Sequence, residues 1–139
     1  MESKISPKGV SEKLINAIKN KGKKPSRIRS VQGNRTRPRS LKFKWHKKTF
    51  TPDIVAFYPD KRDLFSIEPK INKKNIPELV SKWILMAIEA RRHGGKFYLV
   101  APPKHEDFCN ELIEDKKLRI ELISPGKLFF WGNTLRKFQ

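Results

Sequence analysis

The stretch PELVSKWILMAIEARRH, residues 77–93, constrains the fold more than any other. Pro77 suits a first helical turn, where a backbone N–H has no intrahelical partner, and Gly94-Gly95 end the pattern. Leu79, Val80, Trp83, Ile84, Met86, Ala87, Ile88 and Ala90 cover more than one stripe of the helix. Such a helix must be mostly buried, against a sheet and with room for a second subunit. The neighbouring segments supply that sheet. TPDIVAFY (51–58) and DLFSIEPK (63–70) read as strands, and PDKRD between them has the composition of a tight turn. KFYLVA (96–101) is a strand reached by crossover. A shorter helix follows at about 104–116, and LRIELI (118–123) is the last strand.

Upstream, a first helix begins at Ser6-Pro7 or Ser11 and runs to about Asn20, with Leu14, Ile15 and Ile18 on one face and Gly22 as its stop. LKFKW, residues 41–45, alternates strictly, with Leu41, Phe43 and Trp45 inward and Lys42 and Lys44 outward. Between them, KKPSRIRSVQGNRTRPRS shows no apolar period, so residues 22–40 are expected to form a basic, mobile loop. The tail KLFFWGNTLRKF is apolar and basic and receives no element. The order is helix, three strands, helix, strand, helix, strand (αβββαβαβ). It implies one α/β domain over residues 1–139, with a mixed central sheet of about five strands flanked by helices.

Charge bounds the function. Lys and Arg number 32 against 14 acids, a net charge of +18. Residues 1–49 carry 16 basic and 2 acidic side chains, so the excess concentrates there. A polyanion partner follows, contacted through the N-terminal third. Arg27, Arg29, Arg35, Arg37 and Arg39 nearly alternate in the polar segment, and with Lys42 and Lys44 they are the candidate nucleic-acid-binding residues. Arginine suits bidentate phosphate contact. No apolar run reaches the ~20 residues of a membrane span. The first ten residues lack the apolar core of a signal peptide, so a non-secreted protein is expected, cytoplasmic (nucleoid-associated) or wherever its DNA substrate lies. The single cysteine, Cys109, excludes an internal disulfide framework. Three scattered histidines with it cannot build a structural zinc site.

The chemistry gathers on the hairpin. Side chains two apart on a strand share a face, so Glu68 and Lys70 leave the sheet on the same side. Pairing 51–58 with 63–70 around a 59–62 turn sets Asp53 opposite Glu68, at ~4.5–5.5 Å on one face. Two carboxylates that close repel, and a hard divalent cation relieves the repulsion. Asp53 and Glu68 would hold Mg²⁺ or Mn²⁺, with the Pro69 carbonyl as a further ligand. Lys70 would orient a water or neutralise charge on a phosphorane. The bland alternative is an ordinary cross-strand ion pair.

Pro52-Asp53, fourteen residues, then Glu68-Pro69-Lys70 resembles the PD-(D/E)xK, or restriction-endonuclease-like, nuclease superfamily. The element order over roughly residues 10–123 is similar as well. The resemblance implies a metal-dependent DNA endonuclease with catalytic Asp53, Glu68 and Lys70. It also implies that Glu12, the acid available on the first helix, is a second-metal or water-positioning carboxylate. Three branches are near. Archaeal Holliday junction resolvases are small, basic, homodimeric enzymes of DNA recombination. The endonuclease subunits of heteromeric transposases carry a similar hairpin and act with protein partners. VRR-Nuc domains usually place a Gln on the following helix, where ELVSKWILMA offers Lys82. Pro69 departs from the pattern, since β-branched residues are usual there and proline cannot donate to a ladder; the strand is therefore expected to lie at an edge or to end its pairing there. Two alternatives stay open: an inactive nucleic-acid-binding protein of the same fold, and a basic RNA-associated protein.

Other polar groups have plain explanations. His105-Glu106-Asp107 complements a helix N-terminus. Asp60 and Asp63 read as turn residues, Cys109 as a packed thiol. Phe129, Phe130 and Trp131 suit a core or dimer contact before base stacking.

Overall fold

A computed structural model describes residues 7–20, 23–33, 35–42 and 48–124. Three helices, α1 (Pro7–Asn20), α2 (Ile76–Arg92) and α3 (Glu106–Asp115), accompany seven strands. The strands are β1 (Arg27–Ser30), β2 (Leu41–Lys42), β3 (Thr49–Phe50), β4 (Ile54–Phe57), β5 (Arg62–Ile67), β6 (Phe97–Val100) and β7 (Ile120–Ile123). Five form one mixed sheet in the order β1-β4-β5-β6-β7, and β2 pairs β3 in a separate ribbon. β1, β4 and β5 are antiparallel neighbours; β6 and β7 add in parallel, each after a helix. The expected αβββαβαβ order and the mixed five-stranded sheet are therefore present.

Alternation along the strands divides the core in two. Ile54, Ala56, Phe65, Ile67, Tyr98 and Val100 pack with Val10, Leu14, Ile15 and Ile18 of α1. Val55, Leu64, Phe97 and Leu99 pack with Trp83, Leu85 and Met86 of α2 and with Cys109 and Leu112 of α3. The sheet thus lies between α1 on one face and α2 with α3 on the other. Phe65 and Tyr98, paired in register across β5 and β6, stack with centroids 4.8 Å apart.

The identity of the first sheet strand differs from expectation. Residues 27–30 lie inside the segment expected to be a loop, yet they pair with β4, Arg27 opposite Phe57 and Ser30 opposite Ile54. RIRS contains a single apolar residue, so no periodicity announces it. It alternates all the same: Ile28 and Ser30 are buried, and the arginines face the other way. Charged side chains suit such an edge strand. Of the expected strand 41–45, only Leu41 and Lys42 are seen, in the side ribbon. Residues 43–47, with Lys44, Phe43 and Trp45, lie outside the described residues, as do the aromatics Phe129, Phe130 and Trp131.

The register of the hairpin also differs. Tyr58 N–H bonds the Lys61 carbonyl at 2.9 Å, so the chain turns on Pro59 and Asp60 alone. A two-residue loop replaces the four-residue one. Phe57 then faces Arg62, and Ile54 faces Phe65, a slip of two positions.

Asp63, expected in a turn, is fully buried in β5. Its Oδ1 accepts the N–H of Lys96 at 2.9 Å, and Lys61 Nζ stands 3.4 Å from Oδ2. Gly95 lies against it so closely that a Cβ there would come 1.8 Å from the Arg62 carbonyl oxygen. This close approach explains the second glycine of Gly94-Gly95. The first, Gly94, has φ +73°, as a helix stop requires.

Candidate active site

The slip of two positions carries Asp53 from opposite Glu68 to opposite Ser66, but it keeps all three on one face, because side chains alternate with period two. That face looks towards α2. Asp53 N–H extends the ladder to the Phe65 carbonyl at 2.9 Å. Its carboxylate Oδ2 accepts the N–H of Ile67 at 2.7 Å, a donor of β5 that lies beyond the start of β4. A side chain therefore completes the strand edge, which fixes the Asp53 carboxylate one residue from Glu68.

Glu68 is the first residue after β5. Its N–H makes a last ladder bond to the Val100 carbonyl at 2.8 Å. Ser66 Oγ donates to Glu68 Oε1 at 3.0 Å, and Lys82 Nζ of α2 reaches the same oxygen at 2.5 Å. Glu68 is buried, with 11% of its side chain exposed, and Lys82 keeps 21%. Burial pushes the Asp53 carboxyl above its usual range; the Ile67 N–H and the Lys82 charge oppose this, and the Glu68 charge reinforces it. Behind the carboxylates sits Cys109, fully buried, its thiol pushed up to about 11 by burial and then by the Glu68 charge. At that value it is a packed, inert thiol.

The structure thus brings together Asp53, Glu68, Ser66 and Lys82. Two other expected members, Lys70 and Glu12, make no hydrogen bond or ion pair with them among the described residues. Lys70 was expected on the Glu68 face, but β5 ends at Ile67, and Pro69 and Lys70 follow as exposed residues of a bend. Strand alternation no longer governs where they point. Pro69 falls just past the ladder, which resolves its oddity in a central strand: the pairing ends there. Glu12 is exposed on α1 and lines a cleft of about 350 Å³ with Lys8, Lys19 and Arg35. Its charge is not among those acting on Asp53. Among the described residues no group of three or more His, Cys, Asp or Glu is placed to hold a metal ion.

Ser66 and Lys82 are the members that the motif alone did not assign. The signals were present: Ser66 lies two residues before Glu68, and Lys82 is a cation inside an otherwise apolar helical stretch.

The basic residues divide between two places. Arg27, Arg29, Arg39 and Lys42 line a groove between β1, β4, the β2 segment and α2. Arg35 stands by α1 instead, and Arg37 is exposed between them.

Similar solved structures include the following two. The small subunit (R.BspD6I2) of the heterodimeric restriction endonuclease R.BspD6I matches with a TM-score of 0.55 and 12% identity, covering 95% of this chain and 70% of that one. Protein VC1899 from Vibrio cholerae matches with a TM-score of 0.46 and 16% identity, covering 95% of this chain and 32% of that one, so this chain spans about a third of that protein. No family model and no curated protein matches the sequence. The first likeness, with the sheet order above, makes the fold restriction-endonuclease-like. Among the described residues no helix is long and apolar enough to cross a membrane.

Proposed function

We propose that this chain is a Mg²⁺- or Mn²⁺-dependent DNA endonuclease, with Asp53 and Glu68 as metal ligands. One observation carries the reading: two carboxylates from adjacent strands meet on one sheet face in a restriction-endonuclease-like fold, with a lysine against them. The donor set fits the smaller of the two cations. Mg²⁺ retains several waters and is commonly held by one or two carboxylates plus substrate phosphate, so a third protein carboxylate is not required. Both side-chain bonds to Glu68 land on Oε1, which leaves Oε2 for a cation. When bound, the ion would polarise a phosphate oxygen and lower the pKa of a coordinated water. The protein's own part is to hold its carboxylates rigidly. Ile67 orients Asp53; Ser66 and Lys82 orient Glu68. Lys82 also supplies a fixed positive charge where negative charge gathers on the phosphate.

The earlier expectations extend this proposal. The Pro69 carbonyl remains a candidate further ligand, and Lys70 a candidate phosphate contact from the bend. Glu12 remains a candidate second-metal or water-positioning carboxylate from α1. The basic segment supplies affinity for the DNA backbone. The R.BspD6I small subunit belongs to a heterodimeric enzyme, so a paired assembly is proposed here too: a homodimer, or a complex with a recombination or transposition partner. Substrates would be branched or transposon-end DNA.

A second reading has its own support. The Lys82 ammonium already neutralises Glu68 as a cation would, which suits a non-catalytic DNA-binding protein of this fold. Incubation with plasmid, fork and four-way junction DNA in Mg²⁺ or Mn²⁺ separates the two. The expected result is cleavage that Asp53→Asn abolishes while DNA binding is kept. Cleavage that survives Asp53→Asn and Glu68→Gln would remove the site assignment. No cleavage by the wild-type chain, with binding intact, would favour the second reading.

A further inference from the structure

The groove beside the site has an unusual floor. Phe57, half-buried at the end of β4, carries three guanidinium groups around one ring. Arg27 lies 4.2 Å from its centroid, Arg62 5.0 Å and Arg29 5.3 Å. They arrive from two strands that flank β4: Arg27 and Arg29 from β1, Arg62 from β5. None of the three pairs with a carboxylate among the described residues. The one acid lining the groove, Glu89, is engaged by His93 at 2.9 Å and Arg92 at 3.8 Å. Cations packed this closely without counter-charge make a strong anion site, and guanidinium forks match phosphate oxygens.

The groove encloses about 620 Å³, and Arg39 and Lys42 continue its positive wall. Ile88 of α2 lines it as well, with 47% exposure, the large apolar side chain that the described surface leaves most open. An apolar side chain among arginines suits a base, and arginines stack on bases. The volume is that of a cleft for a drug-sized ligand, about 300–1,000 Å³. A duplex could meet a cleft of that size only along one backbone edge, whereas a single strand can enter it. The groove opens next to the carboxylates: Pro52 precedes Asp53, and Leu85 stands one turn after Lys82. From Asp53 to Phe57 the strand spans ~13 Å, at ~3.3 Å per residue.

We infer that this groove binds the phosphate backbone of single-stranded DNA leading away from Asp53 and Glu68. The substrate then carries an unpaired strand beside the cut, as a flap or an opened branch does. The inference rests on the nuclease reading for what happens at the carboxylate end, but the groove's binding is tested without cleavage.

The test is fluorescence anisotropy with labelled oligothymidylate in EDTA across a salt series, using the whole chain. Arg27→Gln with Arg62→Gln removes two phosphate contacts from exposed positions. The logarithmic salt slope should fall by about 1.4, at ~0.7 per single-strand phosphate, and affinity near 0.1 M salt by about 25-fold. Ile88→Glu, also exposed, should weaken binding at least five-fold. Lys8→Gln with Lys19→Gln, which removes equal charge at α1, should change it less than three-fold. Equal loss in the α1 variant, an unchanged salt slope in the arginine variant, or unchanged binding in Ile88→Glu would each overturn the groove. A wild-type chain that shows these slopes yet cuts no flap substrate in Mg²⁺ supports the groove and removes the nuclease reading. A chain that cuts flaps while both groove variants bind normally removes the groove alone.

Discussion

Lys82→Met tests the electrostatic logic of the site directly. Methionine keeps most of the lysine stem's packing and removes the charge. Glu68, with 11% of its side chain exposed, would then hold its negative charge with only Ser66 as a partner and Asp53 nearby. Breaking a fully buried ion pair costs ~3–5 kcal/mol. Lys82 keeps 21% exposure, so water screens part of that loss. The expected cost at neutral pH is about 2 kcal/mol, a fall in Tm of about 6–10 °C for a chain of this size. The cost must depend on pH. Lys82 is one of the charges that hold the Asp53 pKa down, so without it the folded-state value rises further above the unfolded one. Between those two values the native state binds more protons, so stability falls as pH rises. The deficit relative to wild type should shrink when melts move from neutral to mildly acidic buffer. Mg²⁺ should also raise the variant's Tm more than it raises that of wild type. A deficit under ~0.5 kcal/mol, flat across pH, would refute the reasoning, because Glu68 would then be solvated rather than held by Lys82.

Three further outcomes follow from the same geometry. In wild type, burial raises the Asp53 pKa above 3.8, so stability should fall as pH rises from about 3.8 through the raised value; Asp53→Asn, which keeps an acceptor for the Ile67 N–H, should remove that dependence in acid-range melts. Gly95→Ala should cost at least ~3 kcal/mol in denaturant titration, because the new Cβ would meet the Arg62 carbonyl at 1.8 Å and backbone cannot yield cheaply; a loss under ~1 kcal/mol would contradict the close approach. The chain's two tyrosines are both buried: Tyr58 is pushed up to about 12, by burial and then the Asp63 charge, and Tyr98 is raised further for the same reasons. Spectrophotometric titration should therefore show no tyrosinate at about pH 10.5, where a free phenol is more than half ionised, until the fold is lost.

The elements legible in the sequence are those whose packing writes a period. β4 and β5 lie within the expected hairpin, and β6, α3 and β7 each lie within a residue or two of their expected spans. α2 is there, but it is less buried than its apolar pattern implies: Trp83, Leu85, Met86 and Ala90 are buried, Leu79, Val80 and Ala87 only partly so, and Ile88 faces the groove. β1 was illegible because only one of its two buried positions, Ile28 and Ser30, carries an apolar side chain. One isoleucine among arginines carries no pattern until β4 offers its edge. β2 shows the converse: a strict alternation at residues 41–45 promised a sheet strand, and Leu41 and Lys42 joined a two-stranded ribbon instead. Local pattern cannot choose between competing partners for one sheet edge.

The site was partly legible for a reason that has less to do with the motif than with parity. Had the hairpin slipped by one residue, Asp53 would have gone to the α1 face, and no cluster would exist. It slipped by two, because the chain turned on Pro59-Asp60, and the acids stayed together. Parity protects a pair across two ladder strands, but it protects nothing beyond a strand's end. Lys70 lies past that end, where the chain bends, so spacing could not place it. Lys82 sits on a buried helix face that must oppose the sheet whatever the register. A cation carried by the helix is therefore the more robust partner for Glu68. It can hold that role even where, as here, the strand ends before Glu68 and the chain bends at Pro69 and Lys70.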